Sequence, residues 1–395
     1  MTRHAEPPKM LILGQGVLGG DVLDFLLQSD APLGLVVGVR NPEKALHRVN
    51  LARYTAMNLG RSKPVEIEEI DLMDIDRTAA AIDRLKPDII FNATTLHSWW
   101  VITKLPADAF KKLDEARGGI WTPMHQVLIR RLMKSVRMAN SRATVVNASY
   151  PDVVNATLAA EGLAPAVGIG NIANAVPGIR LAAAHMLSLD PSSIEVRFFA
   201  QHYLSYRMPS TGGTDGAPYH LTVYANGLEV PRSEIDHDVL FSLVAGRFRR
   251  LKGLTGQSVT ASSATAMLLA LANRSGQVVH APGPLGLVGG YPVRVSPTGL
   301  LIDLPGKLTL EDAMDINRQC QRFDGIESVD DDGTVRFTSR SAEVLRDVLG
   351  YECEAYGPED CEGRAEELGA HFANYARMHG MEVATQPKPA LERRA

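Results

Sequence analysis

Cysteine is scarce in this chain: Cys320, Cys353 and Cys361 are the only three in 395 residues. They form no C-x-x-C pair and join no Cys/His cluster, so neither a disulfide framework nor a metal site is indicated. A reducing, cytoplasmic setting is expected. Long apolar runs are missing, and Met1-Thr2-Arg3-His4-Ala5-Glu6-Pro7-Pro8 is polar. Neither a membrane span nor a secretory leader is expected. Positive charge is not in excess either: 41 Lys and Arg against 45 Asp and Glu leave a net charge of −4. The densest basic run, Arg247-Phe248-Arg249-Arg250, is short and reads as a solvated helix face. No nucleic-acid partner is therefore expected. What remains is ordinary, with 45% hydrophobic and 22% charged residues, and a chain of this length is expected to build two domains.

Near the start stands Gly14-Gln15-Gly16-Val17-Leu18-Gly19, a G-x-G-x-x-G turn. The apolar run Met10-Leu11-Ile12-Leu13 precedes it, and a helical pattern from Val22 to Leu27 follows. Strand, glycine turn and helix together suit a dinucleotide pyrophosphate. Gly14 permits the tight turn, Gly16 lets the backbone approach the phosphates, and Gly19 lets helix and strand pack closely. The free N–H groups and positive end of the helix face the anion.

A second buried strand, Leu33 to Val39, ends at Arg40-Asn41-Pro42. An acid at this strand end would bond the adenosine ribose and favour NAD; an Arg meets a 2′-phosphate. The planar fork of Arg40 therefore favours NADP(H), with NAD(H) possible if Arg40 is merely solvated or stacks on adenine. Val65 to Ile70 alternates like a third strand, and Ile89-Ile90-Phe91-Asn92-Ala93 is a fourth. Ala93, Thr94 and Thr95 lie at its carboxyl end, where open α/β sheets bind ligands. The stretch from Leu96 to Gly119 is long and mixed, as an active-site lid would be. In it, His97, Trp99 and Trp100 either line a pocket for an apolar or aromatic substrate or pack at a subunit interface. A helix from Thr122 to Met138 and a fifth strand, Ala143 to Val146, complete an alternating β-α order. That order implies a parallel, doubly wound sheet.

From Val145 to His202 the chain resembles the lactate/malate dehydrogenase superfamily. Asn147-Ala148-Ser149-Tyr150-Pro151-Asp152 stands where that family has V-S-N-P-x-D. Gly168-Ile169-Gly170-Asn171-Ile172-Ala173-Asn174-Ala175-Val176-Pro177 stands where it has G-x-G-x-x-L-D-x-x-R, and His202 where it has the histidine of G-E-H-G. Gly256-Gln257-Ser258 and the following helix resemble a pocket-lining helix, and Gly283 to Val295 a C-terminal hairpin. The resemblance runs from residue 9 to about 350. It implies an N-terminal NAD(P)-binding Rossmann domain over 1–150 and an α+β catalytic domain over 151–357. It also implies a homodimer. A helical appendage and a charged, disordered tail are expected over 358–395.

The departures are specific. The family's acid partner of the histidine falls on Asn174, its carboxylate-binding Arg on Pro177, and its strand-end Asn on Tyr150. Its lid Arg has no match, although Lys104 or Arg117 could approach by another route. An Asn supplies a hydrogen bond without charge, so His202 would keep its orientation and lose basicity. Without the bidentate clamp, a simple 2-oxo acid is a poor substrate. The reading is an NADP(H)-dependent oxidoreductase acting on a carbonyl or imine. In it His202 exchanges the proton, Asn174 orients it, and Tyr150 is an alternative base. Thr94 and Asn147 contact the nicotinamide half, and His97, Trp99, Trp100, Tyr206, Arg207 and Ser258 shape the substrate pocket. For His202 the competing reading is a structural residue at a strand end; for Tyr206 and Arg207 it is a surface hairpin loop, and for Ser258 helix capping. For the whole chain it is a non-catalytic NADP(H) sensor or partner subunit.

Overall fold

The computed structural model describes residues 7–98 and 100–383. Trp99 and the charged tail from Thr385 fall outside these residues. The chain opens with β1 (Lys9–Leu13), α1 (Val17–Gln28), β2 (Gly34–Val39), α2 (Pro42–Asn58), β3 (Val65–Glu69), α3 (Ile75–Leu85) and β4 (Ile89–Asn92). It continues through α4 (Ala107–Asp114), α5 (Thr122–Met138), β5 (Thr144–Asn147), α6 (Pro151–Ala159) and β6 (Val167–Gly168). The strands form one six-stranded parallel sheet in the order β3-β2-β1-β4-β5-β6. This is the doubly wound arrangement expected, with the order reversing beside β1. The sheet continues past residue 150, because β6 pairs with β5 after the α6 crossover.

Alternation along the strands divides the core. Leu11, Leu13, Val36, Ile90 and Val145 face one layer, and Met10, Ile12, Leu35, Val37, Phe91 and Val146 the other.

The second half holds α7 (Val176–Leu187), then β7 (Ile194–Phe199), α8 (His202–Thr211), β8 (His220–Ala225) and β9 (Leu228–Glu229), followed by α9 (His237–Ala245) and α10 (Gln257–Asn273). Strands β7, β8 and β9 make an antiparallel sheet with its own core under α7, α8 and α9. A second antiparallel sheet joins β10 (Val278–Pro282), β11 (Gly290–Ser296) and β12 (Gly299–Ile302). After α11 (Leu310–Cys320), a third small sheet joins β13 (Ile326–Val329), β14 (Val335–Phe337) and, beyond α12 (Ser339–Val344), β15 (Ala355–Tyr356).

The last element is α13 (Cys361–Met378). It packs along α5 in the first domain. Glu362 takes a two-pronged bond from Arg131, at 2.9 and 2.5 Å, and Tyr375 donates to the Ala109 carbonyl at 3.1 Å. Helix α9 is short: Asp236 caps its start by accepting from the Asp238 and Val239 N–H groups, and Gly246 ends it. One expectation is corrected by local chemistry. The segment after His202, expected as a possible hairpin loop, is helix α8 with Gln201 as its N-cap. No helix among the described residues is long and apolar enough to cross a membrane.

Candidate active site

The glycine turn joins β1 to α1 as its spacing requires. Gly14 has φ +94°, open to glycine at little cost. A Cβ on Gly19 would run into the Gly14 carbonyl oxygen, whereas one on Gly16 would meet nothing within 4 Å. Gly16 is therefore kept bare toward open space at the mouth of α1. Beside it, the buried Gln15 Oε1 has no partner among the described residues. Ala93 and Thr94 pack directly against this turn, since a Cβ on Gly14 would stand 3.0 Å from Thr94 Cγ2. The cradle fits a dinucleotide pyrophosphate.

Arg40 is exposed just past β2 and bonds no described residue. Asn41 accepts from the Lys44 N–H at 2.9 Å and caps α2. Asn147 is completely buried: it accepts from Asn92 Nδ2 at 3.1 Å and donates to Asn155 Oδ1 at 3.0 Å. Its amide ties the ends of β4 and β5 together and is not available to a ligand, which corrects the nicotinamide contact expected of it. Thr94 donates into the same knot, to Asn92 Oδ1 at 2.6 Å. Thr95 turns instead toward His125, at 2.9 Å.

On the carboxyl side of the sheet four donors converge on one carboxylate. Asp324 is 0% exposed. Its Oδ2 accepts from Tyr150 at 2.6 Å, from His202 Nδ1 at 2.7 Å and from Gln201 Nε2 at 3.4 Å, and its Oδ1 accepts from Tyr206 at 3.2 Å. Each donor is set by its local fold. Gln201 caps α8 with its oxygen, on the Tyr203 N–H at 2.9 Å, and so aims its amide nitrogen at the carboxylate. His202 opens α8, and Tyr206 follows one turn later on the same face. Tyr150 sits ahead of α6 in the left-handed conformation, φ +44°, which costs a non-glycine residue on the order of 1 kcal/mol. The Gly118 backbone closes over the pair: a Cβ there would lie 3.3 Å from Asp324 Oδ1 and 3.6 Å from His202 Cε1.

Burial by itself disfavours the His202 cation, but the Asp324 charge and hydrogen bond outweigh it and hold the ring above its ordinary 6.5. Burial likewise opposes ionisation of Asp324, while the His202 charge and the donated bonds keep its carboxyl below 3.8. Burial and then the Asp324 charge push both Tyr150 and Tyr206 upward, so both phenols stay protonated. A carboxylate only accepts, so His202 carries its proton on Nδ1 and has Nε2 free to exchange one. With 26% of its side chain exposed, that exchange can reach a bound molecule. Nearby, burial raises fully buried Asp152 to about 6. It accepts from Asn171 and has one oxygen unpartnered among the described residues.

The expected orienter of His202 is corrected here. Asn174 bonds Thr260 Oγ1 at 2.9 Å and Ser263 Oγ at 3.0 Å, locking its turn to α10; Asp324 takes the role expected of it. His97 is also displaced from the pocket. It is buried and stacked on Trp121 at 4.3 Å, with Phe372 of α13 at its edge, and burial lowers its pKa to about 4. Trp100 carries Lys104 over its ring at 4.7 Å. Arg207 pairs with Asp215 at 2.5 Å, and Ser258 is exposed on the first turn of α10. Among the described residues, Tyr206 alone of the expected pocket residues joins His202 and Tyr150. Asp324 was missed because its partner His202 lies 122 residues away, and no local spacing connects them.

No protein-family model and no curated protein matches the sequence. Solved structures do. Malate dehydrogenase of Plasmodium falciparum is 13% identical, with a TM-score of 0.51 over 80% of this chain and 98% of its own. A lactate dehydrogenase from a Medee basin deep-sea metagenome library is 11% identical, with a TM-score of 0.53 over 81% and 97%. The lactate dehydrogenase of Eimeria maxima, solved with NADH and oxamate, is 12% identical, with a TM-score of 0.53 over 81% and 93%. The chain thus carries the two-part fold seen in these dehydrogenases.

Proposed function

We propose that this chain is an NADP(H)-dependent oxidoreductase that exchanges a hydride with a carbonyl or imine carbon of a substrate other than a simple 2-oxo acid. The observation that carries the reading is the His202–Asp324 pair. It is a charge-supported proton donor at the carboxyl edge of a sheet whose first turn is built for a dinucleotide. The fold shared with malate and lactate dehydrogenases, one of them solved with NADH, supports the nicotinamide class. Bound along Gly14–Gly19 and the end of β4, that cofactor supplies hydride exchange.

The chain's own residues do the rest. Asp324 fixes the His202 tautomer and stabilises the imidazolium. Nε2 delivers a proton to the substrate oxygen or nitrogen, or removes it in the reverse direction. Tyr150 and Tyr206 hold Asp324 in place and keep its second oxygen from wandering. Pro177 stands in α7 where the resemblance implies a carboxylate clamp, so a 2-oxo acid loses its main anchor.

The test is direct. NADPH is mixed with a panel of aldehydes, ketones and imines, and its absorbance followed. Turnover of at least one member is expected, falling about 10²–10⁴-fold in His202→Ala. Tight NADPH binding with no oxidation of any member, and no effect of His202→Ala, would leave a cofactor-binding sensor and sink the enzyme reading.

Cofactor choice rests on Arg40. A charge-assisted bond to a phosphate contributes about 1.5–3 kcal/mol. Arg40→Asp is therefore expected to weaken NADPH binding about 10- to 100-fold and NADH binding far less. Equal losses by titration calorimetry would mean that Arg40 does not read the 2′-phosphate.

A further inference from the structure

We infer that His125 reads the substrate: it is a fixed hydrogen-bond acceptor that takes an N–H or O–H group of the molecule whose reacting carbon faces His202. The inference rests on the oxidoreductase reading and deepens it.

His125 lies in the first turn of α5 and is half-buried. Its Nδ1 stands 2.9 Å from Thr95 Oγ1 and 3.1 Å from Ser149 Oγ. Each hydroxyl has one proton to give. Thr95 donates to the His97 carbonyl at 3.1 Å, and Ser149 to the His125 carbonyl at 3.0 Å. With those protons on the carbonyls, both oxygens turn lone pairs toward Nδ1, which then carries the ring proton. The opposite tautomer would need a hydroxyl to leave its carbonyl and donate to Nδ1 instead. The neutral ring is thus locked with Nε2 as an acceptor, and Nε2 bonds no described residue. Burial, then the nearby His97 and His202, lower the pKa to about 3, so the ring does not turn into a donor near neutrality.

The position is suited to a substrate. The Tyr150 ring lies 5.9 Å from His125 and 5.3 Å from His202, centre to centre. Tyr150 is itself buried and spaces the two half-buried rings, so a molecule bound over this end of the sheet meets the proton donor with one part and this acceptor with another. An amine, a hydroxyl or a carboxamide satisfies Nε2; a carboxylate meets a lone pair and is repelled. The substrate class is thus a carbonyl or imine compound with a donor group beside the reacting centre.

Two variants separate the two ring nitrogens. His125→Asn keeps a donor near Nδ1 and deletes the outward acceptor, and His125→Gln carries an amide to the place of Nε2. Kinetics use NADPH with carbonyl compounds matched in size and bearing amino, hydroxyl, methyl or carboxylate groups. His125→Asn is expected to raise KM for the amino and hydroxyl members about 10-fold. It should leave kcat, the methyl member and the NADPH Kd unchanged, and His125→Gln should recover part of the loss. Nitrogen-15 spectra of histidine-labelled protein, needing no turnover, should show His125 as a neutral, δ-protonated ring from about pH 8 to about pH 5. The inference is overturned by an ε-protonated or titrating ring, by equal KM changes across the panel, or by a preference for the carboxylate members. A loss confined to NADPH affinity also overturns it, because the donor is then the cofactor carboxamide. If wild-type protein turns over no member, the oxidoreductase reading fails and the substrate assignment falls with it, while the spectra still decide the tautomer.

Discussion

Asp324→Asn is expected to cut turnover on the order of 10³-fold while the protein still binds NADPH. The substitution keeps the shape and removes the charge. His202 then loses the anion that offsets its burial, and its pKa falls. Buried carboxylates that hold a catalytic imidazole are worth factors of this size, about 4 kcal/mol of barrier. The limb of the pH–rate profile governed by His202 should move to lower pH, in whichever direction the reaction runs. Stability responds with a defined sign. His202 is raised above 6.5, so its contribution is full below 6.5 and is lost as pH rises through the folded value. Asp324 is lowered below 3.8, so its contribution is full above 3.8 and is lost as pH falls through the folded value. The pair therefore steadies the fold most between those two pH values, and the wild-type melting temperature should exceed that of Asp324→Asn most clearly there. A variant with unchanged rate and unchanged pH profile would remove Asp324 from the mechanism.

The second large effect separates two glycines of one turn. In Gly19→Ala the new methyl collides with the Gly14 carbonyl, backbone against backbone, and neither can yield without moving β1 from α1. Overpacking of this kind costs about 3 kcal/mol or more, and both melting temperature and NADPH affinity should drop. Gly16→Ala is different. Its backbone, φ −70° and ψ −169°, suits any residue, and its methyl meets no protein atom. Its melting temperature should stay at the wild-type value, while NADPH affinity falls about 10- to 100-fold because the methyl occupies the space that phosphates approach. If Gly16→Ala binds NADPH as wild type does, the cofactor does not lie across this turn.

The first domain was legible because its signals are local. Met10 to Leu13 is a continuous apolar run, the glycine turn follows at once, and strands alternate with helical patterns until the order of the sheet is nearly forced. The site was legible only where a single residue type carried the chemistry. His202 and Tyr150 stood out, but the link between them is Asp324. That residue sits in a short turn between α11 and β13, with nothing around it to suggest burial under four donors. The resemblance pointed to Asn174, whose side chain the fold commits to α10 instead. His97 shows the opposite failure. In sequence it is a polar residue beside two tryptophans; in the fold, Phe372 from the far end of the chain converts it into core. Helix α8 was hidden because two tyrosines, Pro209 and a polar run make a poor helical pattern, and its start depends on the Gln201 cap.

The placement of α13 sets a schedule for synthesis. The parallel sheet is finished when Gly168 has been made, yet one of its two layers is completed only by Ile326 to Ala376, which bury with Leu11, Val36 and Ile90. Cys361, the first residue of α13, follows Gly168 by 193 residues. At about 5–20 residues per second, a ribosome needs roughly 10–40 s to bridge that gap. During that interval the nascent parallel-sheet domain shows a greasy flank to its surroundings. A stop codon anywhere before α13 would leave that flank exposed for good.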